Sequence, residues 1–206
     1  MRKFLKPIYA LPVTAAICLS AIGFSVSSHM YALNAGQEIT VPARGYDPRD
    51  LLLGHYVRLT PDLRTELSVE ASKAAQQAFD LGEAKWSTVN GWVKVEHLNG
   101  VWQTTGVFPE QPDIRPSDDV VFLKGEIVLR RVLRRDDQPK TYTVTPPLHI
   151  DRYYANVDEA LKLEKLMRNR DGDQNQLNLI LSVSKDGTAR LKGLEVEGQR
   201  QVMGWW

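Results

Sequence analysis

The sequence predicts a mainly β (α+β) protein: an N-terminal transmembrane helix, then a small antiparallel β-barrel or sandwich with one helix in the C-terminal half. Three observations predict it. A charge-free apolar run, Ile8 to Val26, stands directly behind a basic start. Short β-rich runs separated by Gly, Pro, Asn and Asp then recur through most of the chain, the pattern of antiparallel strands and turns. One later segment, Ala155 to Arg170, has helical periodicity with capping residues at its ends.

The apolar run is long enough to cross a hydrocarbon core of about 30 Å as a helix. Pro7 stands just before it, where a missing N–H is tolerated best, and Pro12 in its second turn removes one early hydrogen bond. Arg2, Lys3 and Lys6 precede the run, and no Lys or Arg follows until Arg44. That asymmetry predicts a cytoplasmic N-terminus and a remainder on the far side of the inner membrane, in the periplasm. A cleaved signal peptide shares the basic start. The run exceeds the usual apolar region of such peptides, about 7–15 residues, which favours an uncleaved signal-anchor. Residues 1–34 are thus expected to form the anchor and its exit, and residues 35–206 one extracytoplasmic β domain. Cys18 is the only cysteine and lies inside the run, so the exported part has no disulfide to form.

Three of the 26 basic residues precede the run, leaving 23 against 25 acidic ones in the remainder. A near-neutral, slightly acidic domain argues against a nucleic-acid partner. The basic stretch Arg130-Arg131-Val132-Leu133-Arg134-Arg135 is followed at once by Asp136 and Asp137 and reads as a strand end and a solvated turn.

Gln37 to Ala43 reads as a short extended segment. Asp47-Pro48-Arg49-Asp50 reads as a turn, because proline fixes φ and Asp47 can accept from the backbone ahead of it. His55 to Leu59 is a strand. Thr65 to Phe79 is a short helix or irregular insert, with Leu67, Ala71, Ala74, Ala75, Ala78 and Phe79 near helical spacing. Gly91 to Leu98 and Val101 to Val107 flank Asn99-Gly100, the strongest short-range hairpin signal, and place Trp92 and Trp102 on opposite arms as packing partners. Val120 to Val132 and Tyr142 to Pro146 are further β runs. In the predicted helix Ala155 to Arg170, Asn156 and Glu159 make a capping box, and Arg168, Arg170 and Gly172 suit its C-terminal end. Leu177 to Ser184, the turn Lys185-Asp186-Gly187, and Thr188 to Val196 make a last hairpin, followed by an aromatic tail at Trp205-Trp206.

The segment Gly45 to Leu59 carries the functional signal. Gly54, Tyr56 and Leu59 fit a Gly-Asp-Tyr-x-x-Leu-x-Tyr pattern, and Asp47, Pro48, Arg49, Asp50 and Leu51 fit an Asp-Pro-Arg-Asp-Leu-x-x-Gly lead-in. Ile150, Arg152, Tyr153 and Tyr154 match a later Ile-x-Arg-Tyr-Phe/Tyr element, and Glu159 an acidic position beyond it. On these residues the chain resembles the GDYXXLXY proteins, small membrane-anchored bacterial proteins of unassigned biochemical role, over nearly its whole length. His55 stands where that pattern has Asp and Pro61 where it has the last Tyr. If the family carboxylate does chemistry, this member lacks it or uses His55 as a pH-sensitive substitute. The resemblance implies an accessory subunit that accompanies a polytopic membrane protein.

Asp47, Arg49, Asp50, Gly54, His55, Tyr56, Arg58, Arg152, Tyr153 and Tyr154 are the candidate polar cluster or partner surface. An Arg fork binds a carboxylate through two parallel bonds and holds separate segments in register, so the cluster has a structural reading beside the functional one. No His-Glu-x-x-His, P-loop, dinucleotide fingerprint or Gly-x-Ser-x-Gly elbow is present, so no catalytic residue, metal or cofactor is expected. Two other functions keep the same plan: an envelope hydrolase of signal-peptidase type, using Ser25, Ser27 or Ser28 with Lys73 or Lys124, and a small-ligand or lipid sensor.

Overall fold

The computed structural model describes residues 7–46, 56–82, 84–114, 117–132, 140–148, 153–154 and 177–202. Helix α1 spans Pro7–Ala35 and runs unbroken past Pro12. Its length, 29 residues, corresponds to about 43 Å. The span Leu11–Ala35 is long and apolar enough to cross a membrane, and its most apolar stretch is not buried against the rest of the protein. Leu11, Ile17, Leu19, Ile22 and Phe24 are all exposed.

One residue, Gly36, separates α1 from β1 (Gln37–Tyr46). Then follow β2 (Tyr56–Pro61), β3 (Thr65–Glu66), α2 (Val69–Phe79), β4 (Trp86–Leu98), β5 (Val101–Phe108) and β6 (Val120–Arg131). The rest are β7 (Tyr142–Thr145), β8 (Tyr153–Tyr154), β9 (Leu177–Val183), β10 (Ala189–Val196) and β11 (Gln199–Val202). They form a six-stranded sheet in the order β11-β10-β9-β1-β2-β8 and a five-stranded sheet in the order β3-β7-β6-β4-β5. Every pairing within them is antiparallel.

The two sheets share one core. Ile39 and Val41 of β1 pair with Leu181 and Leu179 of β9. Opposite them in the same cluster lie Val93, Val95, Leu123, Ile127 and Leu129 of the five-stranded sheet. The alternation along β1 is the period of two that a half-buried strand requires. Strand β9 departs from it: Ile180 and Ser182, which face away from Leu179 and Leu181, are also buried. Antiparallel sheets commonly leave one face to solvent; here the reverse face of β9 is covered too. At Ser182 the cover is the end of α1, whose Ala32 carbonyl accepts from Ser182 Oγ at 3.3 Å.

Local chemistry explains several boundaries. Asn99 and Gly100 both take positive φ, 53° and 81°, as a two-residue hairpin turn between β4 and β5 demands. Trp92 and Trp102 are not partners across that hairpin: Trp92 pairs with Phe108, and Trp102 with His97. The Trp102 ring sits 5.1 Å from the His97 ring, and Lys124 Nζ lies 5.5 Å over Trp92. Helix α2 starts later than the composition suggested. Ser68 caps it, its Oγ accepting from Ala71 N at 3.1 Å, while Thr65 and Glu66 are drawn into β3 against β7. Of its small residues, Ala75 and Ser72 turn inward and Ala74 and Ala78 outward. The helix expected over residues 155–170 and the aromatic tail at 205–206 lie outside the described residues.

Gly91 of β4 faces Gly125 of β6. A Cβ at Gly91 would collide with the Phe108 carbonyl oxygen and stand 3.1 Å from Phe79 Cζ. The missing side chain is what lets the end of α2 close over the five-stranded sheet at this point.

Candidate functional site

Strand β1 changes partners along its length. Gln37 to Pro42 pair with β9, and Ala43 to Tyr46 pair with β2. Its 10 residues carry the chain about 30 Å from the end of α1 before the signature segment begins. The β1–β2 hairpin closes with Tyr46 opposite Arg58. On the far side of β2, Tyr56 pairs with Tyr154 and Val57 with Tyr153.

Register therefore brings the Gly-x-Tyr strand and the Arg-Tyr-Tyr element together as neighbours at one edge of the six-stranded sheet, although residues 56 and 154 are far apart in the chain. Of the candidate cluster, Tyr56, Arg58, Tyr153 and Tyr154 have described backbone positions, which lie on the adjacent strands β2 and β8. Asp47, Arg49, Asp50, Gly54, His55 and Arg152 lie outside the described residues. Tyr46 was not among the predicted residues. It is the cross-strand neighbour of Arg58, and its place one residue before Asp47 was the available signal. Pro61 ends β2 opposite Ala43, and the next amide, Asp62 N, donates to Pro42 O at 2.7 Å. A proline that cannot donate is tolerated at such a strand end.

The serines and lysines of the hydrolase reading fall on different elements. Ser25, Ser27 and Ser28 are on α1, and Lys73 is exposed on α2. Lys124, on β6, has its ammonium over Trp92. Among the described residues, no three His, Cys, Asp or Glu side chains stand together as a metal ion would need.

Charge clusters elsewhere are structural ties. Glu38 of β1 meets Lys192 of β10 at 3.2 Å and also Arg200 of β11, so one carboxylate links strands on both sides of β9. Partial burial pushes the Glu38 carboxyl up, but hydrogen bonds from Lys192 and Arg200 and the nearby positive charge together hold it below its ordinary range. A lowered folded pKa contributes stability that is present above the unfolded value, about 4.3, and is lost as pH falls through the folded one. Glu38→Gln is therefore expected to lower stability at pH 7 and to flatten its decline below about pH 4.5, read from urea midpoints across pH. A decline as steep as the wild type's would assign that acid loss to other carboxylates. Glu96, bonded to Lys94, and Asp186, bonded to Ser184 and Thr188, are lowered in the same direction.

These features define a class: a β domain of two antiparallel sheets behind one membrane-length helix, its signature strand paired to a distant Tyr-Tyr segment. The family profile described as GDYXXLXY protein matches residues 18–194, most of the chain. The chain belongs to the GDYXXLXY family. The match runs from within α1 into β10, so β11 lies beyond it. Searches of curated proteins and of solved structures find no match.

Proposed function

We propose that this protein is an interaction or accessory module: α1 anchors it in the bacterial inner membrane, and the β domain, in the periplasm, docks on a polytopic membrane protein through its signature end. The observation that carries the reading is the β1–β2–β8 register. It gathers two separate family elements at one sheet edge, at the end of β1 away from α1. Such convergence is what a shared docking surface requires, and loops positioned by a rigid scaffold are common places for recognition. The length of β1 adds a condition. A contact there lies about 30 Å along the strand from the helix exit, which suits a partner that presents an extracytoplasmic loop or domain beside its membrane helices.

The test is a tagged purification from mild-detergent membranes, wild type beside Asp50→Ala, with co-purifying proteins identified by mass. The expected result is one stoichiometric membrane protein with the wild type, lost or reduced at least about tenfold with Asp50→Ala, a change of about 1.4 kcal/mol in binding. A partner retained equally by both would move the contact elsewhere and leave the signature with a structural role.

A further inference from the structure

The helix exit holds the β domain close to the bilayer. With the apolar run Ile8–Val26 in the hydrocarbon core, the last nine residues of α1, about 13 Å of helix, carry the chain out through the headgroups. Only Gly36 separates it from β1. That position is tight: an added Cβ would lie 3.0 Å from Val183 O. The last turns of α1 are also fastened to β9 by the Ser182–Ala32 hydrogen bond. The end of the domain that holds Gln37 therefore lies close to the lipid surface, given the anchor reading on which this inference rests.

A chain of contacts leads from Gln37 to a second element at that end. Gln37 Nε2 donates to Ser117 O at 2.6 Å and to Asp118 O at 3.1 Å. In the same turn, Asp119 O accepts from His97 N at 2.9 Å, and the Asp119 carboxylate lies 3.4 Å from His97 Nδ1. His97 is the last residue before the β4–β5 hairpin tip. There Leu98 and Val101 face each other across Asn99-Gly100, exposed by 43% and 44%. The tip from Leu98 to Trp102 carries no charge. The His97–Trp102 ring contact packs behind it, at the base of the tip.

We propose that this hairpin tip is a second membrane contact, with Leu98 and Val101 seated at the boundary between headgroups and acyl chains beside the point where α1 emerges. Apolar side chains at that depth leave water while the turn's backbone stays hydrated, as for other interfacial segments. Lipid charge is not the attraction. The tip is neutral, and the neighbouring Asp118 and Asp119 are acidic, with the Asp119 side chain 74% exposed. Contact with neutral phosphatidylcholine suffices, and added salt leaves it intact.

The experiment uses the full chain in phosphatidylcholine vesicles carrying spin-labelled lipid, with an environment-sensitive fluorophore on one cysteine at a time. Native Cys18, near the middle of α1, reports the anchor. In a Cys18→Ser background, Val101→Cys and Leu98→Cys report the tip. Lys85→Cys, exposed beside the opposite end of β4, reports solvent. The expected result is quenching at Cys18 by a label deep in the acyl chain and blue-shifted emission at 101 and 98. Labels near the headgroup should quench 101 and 98 several-fold more than 85, unchanged by salt. Cys18 quenched while 101 and 98 behave like 85 overturns the tip contact and leaves the anchor standing. Cys18 unquenched overturns the anchor, and the tip contact with it. A tip unquenched in vesicles but shielded from aqueous reagents in native membranes also overturns the proposal, in favour of a protein neighbour.

Discussion

Leu179→Ala and Ile180→Ala are each expected to destabilise the domain by about 2–5 kcal/mol, the range for emptying a buried aliphatic site. For adjacent residues on an antiparallel strand that result is unusual. Their side chains point to opposite faces, and on a sheet with one wet face the second substitution would stay within about 0.5 kcal/mol. Both residues are fully buried. Leu179 faces Val41 and Leu194 across the ladder within the shared core, whereas Ile180 pairs with Thr40 and Gly193 and lies outside that core cluster. Urea unfolding of the solubilised protein, followed by tryptophan emission, measures both. A full loss at Leu179 with almost none at Ile180 would contradict the account of β9 as a strand covered on both sides.

Deletion of residues 1–30 is expected to move the protein from the membrane pellet to the soluble fraction while the β domain keeps its cooperative unfolding. The most apolar stretch of the helix is left uncovered by the described residues of the domain, and the transfer of a membrane-length apolar helix into lipid is effectively irreversible. Retaining Tyr31 to Ala35 preserves the Ala32 carbonyl that Ser182 uses. Centrifugation after carbonate extraction, with circular dichroism of the soluble product, reads both halves of the expectation. A truncated protein that stays in the pellet yet folds would show that the β domain binds the membrane strongly on its own. A truncated protein that does not fold would make the end of α1 part of the domain rather than a tether.

The readable parts of this fold are those with local chemistry. Asn99-Gly100 and Lys185-Asp186-Gly187 announce their hairpins because only glycine and a few polar residues take positive φ cheaply. The long apolar run announces α1 by length alone. Composition alone puts the start of α2 too early, because Thr65 and Glu66 are helix-compatible. What removes them is a tertiary event, pairing with β7, reinforced by Leu67 N donating to Tyr142 O at 2.9 Å. The sequence pattern does not announce strand β11, although Glu197 and Gly198, both at positive φ, mark its turn; its four residues are all exposed and lack an apolar face to betray them. Strand β8 consists of Tyr153 and Tyr154 alone, and no property of two residues foretells pairing with Tyr56 and Val57. The candidate site divides the same way. Its residues were legible as family elements, but their meeting at one sheet edge is a matter of long-range register.

The most direct test of the signature end as a docking surface is site-specific photocrosslinking in living cells. A photoreactive residue replaces Arg49 or Arg58 in the signature segment, and Glu126, exposed on β6, in a control. The account predicts that both signature positions capture the same single membrane protein and that position 126 captures none. Capture at position 126 without capture at 49 or 58 would contradict it and place the working surface on the five-stranded sheet.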